Sequence, residues 1–146
     1  MKLLILVLAT GFGTGYSPKA PGTVGSALGV CLIFILKYWG LDNWVLPVII
    51  GIPAGIAAAH LAEGYLGEHD SPKIVIDEIV GMFLAGMFLP NAYLIPAFLL
   101  FRFFDIVKPG PIGTVQRLPG GLGVMADDVL AGFMVWAILK SLFWLF

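Results

Sequence analysis

Residues 79–101 read IVGMFLAGMFLPNAYLIPAFLLF, 23 residues without one charge. As a single helix this run would cross about 30 Å of hydrocarbon. Pro90-Asn91 interrupts it near its centre, however, and read as a turn this dipeptide makes a helical hairpin. The arms are then residues 74–89 and 93–107, each about 24 Å long or slightly less. Arms that short must be deepened by neighbouring helices or must thin the bilayer locally. The choice decides the fold. One pass puts the polar segments on either side of the run on opposite membrane faces, and a hairpin puts them on the same face. The interruption favours the hairpin.

The rest of the chain agrees with a membrane setting. Of its 146 residues 60% are hydrophobic and 12% are charged, with a mean hydropathy of +1.00. Soluble domains carry about 25% charged residues, so lipid is the expected outer solvent. Three further stretches, 24–41, 44–62 and 129–146, hold at most one charge each and are long enough to span. Lipid cannot hydrogen-bond open backbone, so helix is the default for all of them. The expected fold is an all-α, polytopic helical bundle forming one domain over residues 1–146, with a polar site at one membrane face. A net charge of −1 argues against nucleic acid as a partner. The N-terminal MKLLILVLA is too short to span and lacks a small-residue cleavage site, so it is read as retained.

Three polar segments, 10–26, 67–78 and 101–128, hold nearly all the chemistry. With the hairpin, Lys2, Lys19, Lys73, Arg102, Lys108 and Arg117 share one face and leave Lys37 and Lys140 on the other. That bias places the three segments in the cytoplasm. Asp70, Asp77, Glu78, Asp105, Asp127 and Asp128 crowd the same boundary. Acids in a first helical turn can simply complement the helix dipole. Two adjacent pairs plus two more acids at one face suggest a shared site instead. Asp77-Glu78 and Asp127-Asp128 are consecutive, so on a helix the members of each pair diverge by about 100°. The second pair is expected to open the last helix.

Arg102 and Asp105 are i,i+3 neighbours, and Lys108 follows just before a proline stop. An ion pair alone would explain them structurally, but a phosphate and its metal suit the same group. In PGTVGS, residues 21–26, glycine-spaced backbone N–H groups precede a helix and could seat an anion or merely make a tight turn. An oxygen-rich, sulfur-poor donor set suits Mg²⁺, and neither His60 nor His69 has zinc-ligand spacing. Cys31, the only cysteine, lies in an apolar run and is not expected to act as a nucleophile.

Four ordered motifs, TGFGTGYSPKAPGTVGS, HDSPKIVIDEIVGM, FRFFDIVKPGPI and GGLGVMADDVLAG, resemble the phosphatidylglycerophosphatase A family from about residue 9 to residue 132. The resemblance implies a bacterial inner-membrane, Mg²⁺-dependent phosphatase that converts phosphatidylglycerophosphate to phosphatidylglycerol and phosphate. It implies that Asp70, Asp77, Glu78, Asp105, Asp127 and Asp128 occupy the family's acidic positions, all but Asp127 being candidate metal ligands and all but Asp70 candidate catalytic residues. Lys19, Thr23, Gly25, Ser26, Arg102 and Lys108 would bind substrate. Gly110 and Gln116 depart from the family pattern. No Cys-x5-Arg, D-x-D-x-[TV] or histidine-rich phosphatase signature occurs, which favours a metal-activated water over an attacking aspartate. The rival reading is an ion- or proton-coupled transporter, which would need its acids near the midplane rather than at the boundary.

Overall fold

The structure, a computed structural model, describes residues 1–145, and within them it is helical with no strand. Seven α-helices follow in order: α1 Lys2–Ala9, α2 Pro21–Tyr38, α3 Val45–Leu66, α4 Ile76–Ala85, α5 Leu94–Val107, α6 Pro111–Val115 and α7 Gly121–Leu145. Of these, α2, α3 and α7 are long and apolar enough to cross a membrane. Their outward residues, such as Leu46, Ile49 and Ile50 on α3 and Phe133 and Ile138 on α7, are exposed and apolar, as lipid contact requires.

The hairpin is present. Helix α4 ends at Ala85, Phe88 turns the chain with φ of +58°, and a 3₁₀ turn at Asn91–Tyr93 leads into α5. At the open end Arg102 Nη1 of α5 lies 3.9 Å from Glu78 Oε1 of α4, so the two arms start and finish side by side. At the closed end two lysines from other helices hold the turn. Lys37 Nζ donates to the Leu89 carbonyl at 2.5 Å, and Lys140 Nζ donates to the Phe88 carbonyl at 3.2 Å. The hairpin tip, Lys37 and Lys140 therefore share the end opposite the acids.

The first arm is shorter than the sequence suggests. Ten residues of α4 rise only about 15 Å. This costs little because α4 is not a lipid-facing span: it packs against α2, α3, α5 and α7 and buries Ile79, Val80, Met82, Leu84 and Ala85. Neighbours supply the depth that its own length lacks. Glycines permit the close approach. A Cβ on Gly132 of α7 would collide with the Gly81 carbonyl oxygen of α4, and one on Gly29 of α2 would sit 2.9 Å from Met82 Cβ.

Helix α7 also departs from expectation. It begins at Gly121, two turns before Asp128, so Asp127-Asp128 lies inside the helix and not at its mouth. The glycines that mimic a loop there are packing positions. A Cβ on Gly121 would strike the Ile56 carbonyl oxygen, and one on Gly123 would strike that of Leu118. Helix α1 is not a span; Leu6 and Ala9 pack with Ala58, Ala59 and Ala62 of α3. The final stretch, read as 129–146, ends on Phe146, which lies outside the described residues.

Candidate active site

Four helices bring the site together at the open end of the hairpin. The entry to α4 is anchored by Val75, whose N–H donates to the Ala9 carbonyl at 2.9 Å. Its side chain is buried against Gly25, where a Cβ would lie 2.7 Å from Val75 Cβ. The first turn of α4 then presents Asp77 and Glu78, and although consecutive helical positions stand about 100° apart, the two carboxylates come together here. Glu78 Oε1 faces the Arg102 guanidinium. Asp77 lies with Asp128 of α7, and one carboxylate oxygen from each of Asp77, Glu78 and Asp128 falls within 4.8 Å of the others.

Two cations border this trio. Arg102 pairs with Asp105 one turn along α5, and its Nη1 also donates to Ser26 Oγ of α2 at 3.4 Å. Ser26 in turn donates to the Gly22 carbonyl at 2.8 Å, so the guanidinium is tied to the first turns of α2. Lys108 caps the end of α5 in the left-handed region, φ +48°, and its ammonium donates to Asp127 Oδ2 at 2.5 Å. Burial alone would lower the Lys108 pKa, but the hydrogen bond and charge of Asp127 hold it above the usual lysine value, so it stays cationic at neutral pH.

The dipole explanation for the acids fails on α7, which has no acid in its first turn. Asp77 is 7% exposed and Asp128 is 2% exposed. Asp77 Oδ1, Glu78 Oε2 and Asp128 Oδ1 are buried oxygens without any hydrogen-bond partner. Unpaired buried carboxylates are costly, and three together repel. The arrangement suits a hard divalent cation. Ligand oxygens on one Mg²⁺ stand at most about 4.2 Å apart, close to the 4.8 Å within which the trio's oxygens lie. Asp77, Glu78 and Asp128 are thus the residues that fit the ion, and an all-oxygen donor set favours Mg²⁺ or Mn²⁺.

Other expected site residues fall elsewhere. Asp105 and Asp127 border the trio but are paired with cations. Asp70 does not join it; it is exposed on the α3–α4 loop, φ +51°, and accepts a hydrogen bond from Gln116 Nε2 at 3.0 Å. Its backbone N–H donates to Glu63 Oε1, which also pairs with His69 Nδ1 at 2.6 Å. Asp70, expected as a metal ligand, lies outside the trio, and these contacts tie its loop to Glu63 and Gln116. Lys19 is exposed before α2, and among the described residues no ion pair or side-chain hydrogen bond joins it to the cluster. Thr23 is half-buried in the uncapped first turn of α2. Gly25, expected to bind substrate, is buried against Val75.

Two residues escape sequence reasoning. A Cβ on Gly22 would collide with Glu78 Oε1 and approach Arg102 Nη1 to 3.1 Å, so only glycine leaves that pair its place. Its signal, one glycine in PGTVGS, is shared with any turn. Glu63 sits in the last turn of α3 as that helix's one acid, and this was the available signal.

Comparison with known proteins agrees with this geometry. The sequence profile of the family described as Phosphatidylglycerophosphatase A matches residues 7–143. The chain belongs to the phosphatidylglycerophosphatase A family. It is 36% identical over 137 residues to Phosphatidylglycerophosphatase A of Escherichia coli, covering 91% of this chain and 80% of that one. It is 36% identical over 147 residues to the protein of the same name in Haemophilus influenzae, covering 97% and 90%. It is 39% identical over 154 residues to a Bacteroides thetaiotaomicron protein described as "Putative phosphatidylinositol-3-phosphatase", covering 98% and 96%. No solved structure matches the chain. The family and the three spanning helices make this chain a membrane-embedded phosphatase of bacterial type.

Proposed function

We propose that the protein is a Mg²⁺-dependent lipid phosphatase that hydrolyses the phosphomonoester of phosphatidylglycerophosphate at the cytoplasmic face of the inner membrane. The observation that carries this reading is the trio of buried, unpartnered carboxylate oxygens on Asp77, Glu78 and Asp128 beside two cations. Family membership supplies the substrate class. The six basic residues on the site's side, against Lys37 and Lys140 at the hairpin tip, support the cytoplasmic orientation.

A head-group phosphate lies at the bilayer surface while its acyl chains stay buried, which suits acids gathered at the end of the bundle opposite the hairpin tip. Mg²⁺ in the trio would neutralise the phosphate and lower the pKa of a bound water. The chain's own part is positioning. Arg102 offers a guanidinium fork to phosphate oxygens, Lys108 offers a point charge, and the uncapped first turn of α2 offers backbone N–H groups. Water is the favoured nucleophile. Its attack breaks the ester P–O bond and releases phosphate, and the glycerol oxygen of the product takes up a proton. The transporter reading is not favoured, because the chain's relatives are phosphatases and the trio lies at one end of the bundle beside Arg102 and Lys108.

The Bacteroides relative motivates a second substrate, phosphatidylinositol 3-phosphate, which is also a lipid phosphomonoester. Phosphate release from vesicles holding one lipid or the other compares the two directly. The expected result is faster release from phosphatidylglycerophosphate, abolished by EDTA and restored by Mg²⁺. Faster release from the inositol lipid would replace the substrate, and undiminished release after chelation would remove the metal.

A further inference from the structure

Five acids stand at the site, yet they are not equivalent. Asp77, Glu78 and Asp128 each keep one buried oxygen without a partner. Asp105 and Asp127 have no such orphan, and each is paired closely with a cation, Asp105 with Arg102 and Asp127 with Lys108 at 2.5 Å, whereas Glu78 stands farther off, 3.9 Å from Arg102 Nη1. The two kinds of acid also differ in what surrounds them. Asp77, Glu78 and Asp128 each bring one carboxylate oxygen within 4.8 Å of the others, whereas Asp105 and Asp127 each pair with a different base, Arg102 of α5 and Lys108 at its end.

We propose that the acids fall into two working groups. Asp77, Glu78 and Asp128 hold a single divalent ion, while Asp105 and Asp127 bind no metal and are positioning residues for Arg102 and Lys108. This rests on the phosphatase reading above and deepens it. Arg102 has a long, flexible stem, and its Nη1 is held by both Asp105 and Ser26. Its Nε remains buried without a partner, so one edge of the fork has donor capacity to spare. Lys108 departs from α5 in a left-handed conformation that most residues avoid, and Asp127 receives its ammonium there. Each base is therefore pre-aimed, and a phosphate meets two ordered cations rather than two mobile ones. Charge supports the same division. With Asp105 and Asp127 neutralised by their bases, the uncompensated charge resides on the trio, where one divalent ion offsets most of it.

Mn²⁺ binding to the purified full-length protein in lipid nanodiscs, followed by electron paramagnetic resonance, separates the two groups without turnover. The wild type should bind one Mn²⁺ per chain. Asp128→Asn should weaken that binding by about 100-fold or more, beyond the 10- to 100-fold typical of residues that only support a ligand. Asp105→Asn and Asp127→Asn should each change it by less than about tenfold. Both should still lose at least about tenfold in kcat/KM, mainly through KM, as loss of substrate binding predicts. The double variant Asp127→Asn/Lys108→Met removes both charges together and avoids leaving a buried ammonium unpaired. It should keep wild-type Mn²⁺ affinity and be no less active than Lys108→Met alone, because Asp127 acts through Lys108. Two Mn²⁺ per chain, or an Asp105 or Asp127 variant as deficient in Mn²⁺ as Asp128→Asn, would overturn the division while leaving a metal phosphatase intact. A wild type that binds no Mn²⁺ would overturn the division together with the metal reading.

Discussion

At the scale of single residues, the cost of losing a carboxylate should follow its environment rather than its charge. Glu78→Gln and Asp128→Asn should each reduce kcat/KM by about 150-fold or more, equivalent to about 3 kcal/mol, the loss typical of a group stabilising transition-state charge. Asp42→Asn, in the exposed α2–α3 loop at the other end of the bundle, should stay within about twofold. Equal losses in all three folded variants would refute the grouping. Gly22→Ala is a sharper test of geometry, since one methyl meets Glu78 and Arg102. Overpacking of this kind costs about 1–3 kcal/mol, so a tenfold or greater loss of turnover is expected while helical content is retained. Cys31 is exposed on α2 in a lipid-facing position, and Cys31→Ala should keep full activity. The carboxylates were legible in the sequence because an acid beside an apolar run is conspicuous. Their division was not, since whether an oxygen is orphaned depends on side chains arriving from other helices. Asp70 shows the limit: its motif position suggested a ligand, yet it lies outside the trio, where Gln116 donates to its carboxylate.

At the scale of elements, the hairpin was readable from Pro90-Asn91, but its support was not. Nothing near residues 88 and 89 announces that Lys37 and Lys140, each about fifty positions away, donate to those carbonyls. Lys37→Met should remove a charge-assisted hydrogen bond worth about 1–2 kcal/mol at this half-buried position, lowering Tm by several degrees in detergent, as circular dichroism can measure. An unchanged Tm would mean the turn holds without it. The start of α7 was misread for a related reason. GGLG looks like loop because glycine disfavours helix, yet here the missing side chains admit the backbone of α3 and of the preceding loop. The short α4 likewise follows from burial on every side, a fact of the assembled bundle that a hydropathy window cannot contain.

At the scale of the whole molecule, one active site exists only if the segments before α2, between α3 and α4, and between α5 and α7 share a membrane face. That arrangement unites Gly22, Glu78, Arg102 and Asp128; a single pass through 79–101 would part Glu78 from Asp105 by about 30 Å and leave neither ion nor phosphate a common site. Cysteine labelling in intact cells measures it directly. In a Cys31→Ala background, single cysteines replace His69, Asn91 and Thr114, all exposed positions. An impermeant thiol reagent added outside should label position 91 alone, and positions 69 and 114 should label only after the membrane is opened. Outside labelling of one of 69 and 114 but not the other would put the acids on opposite faces and contradict the shared site.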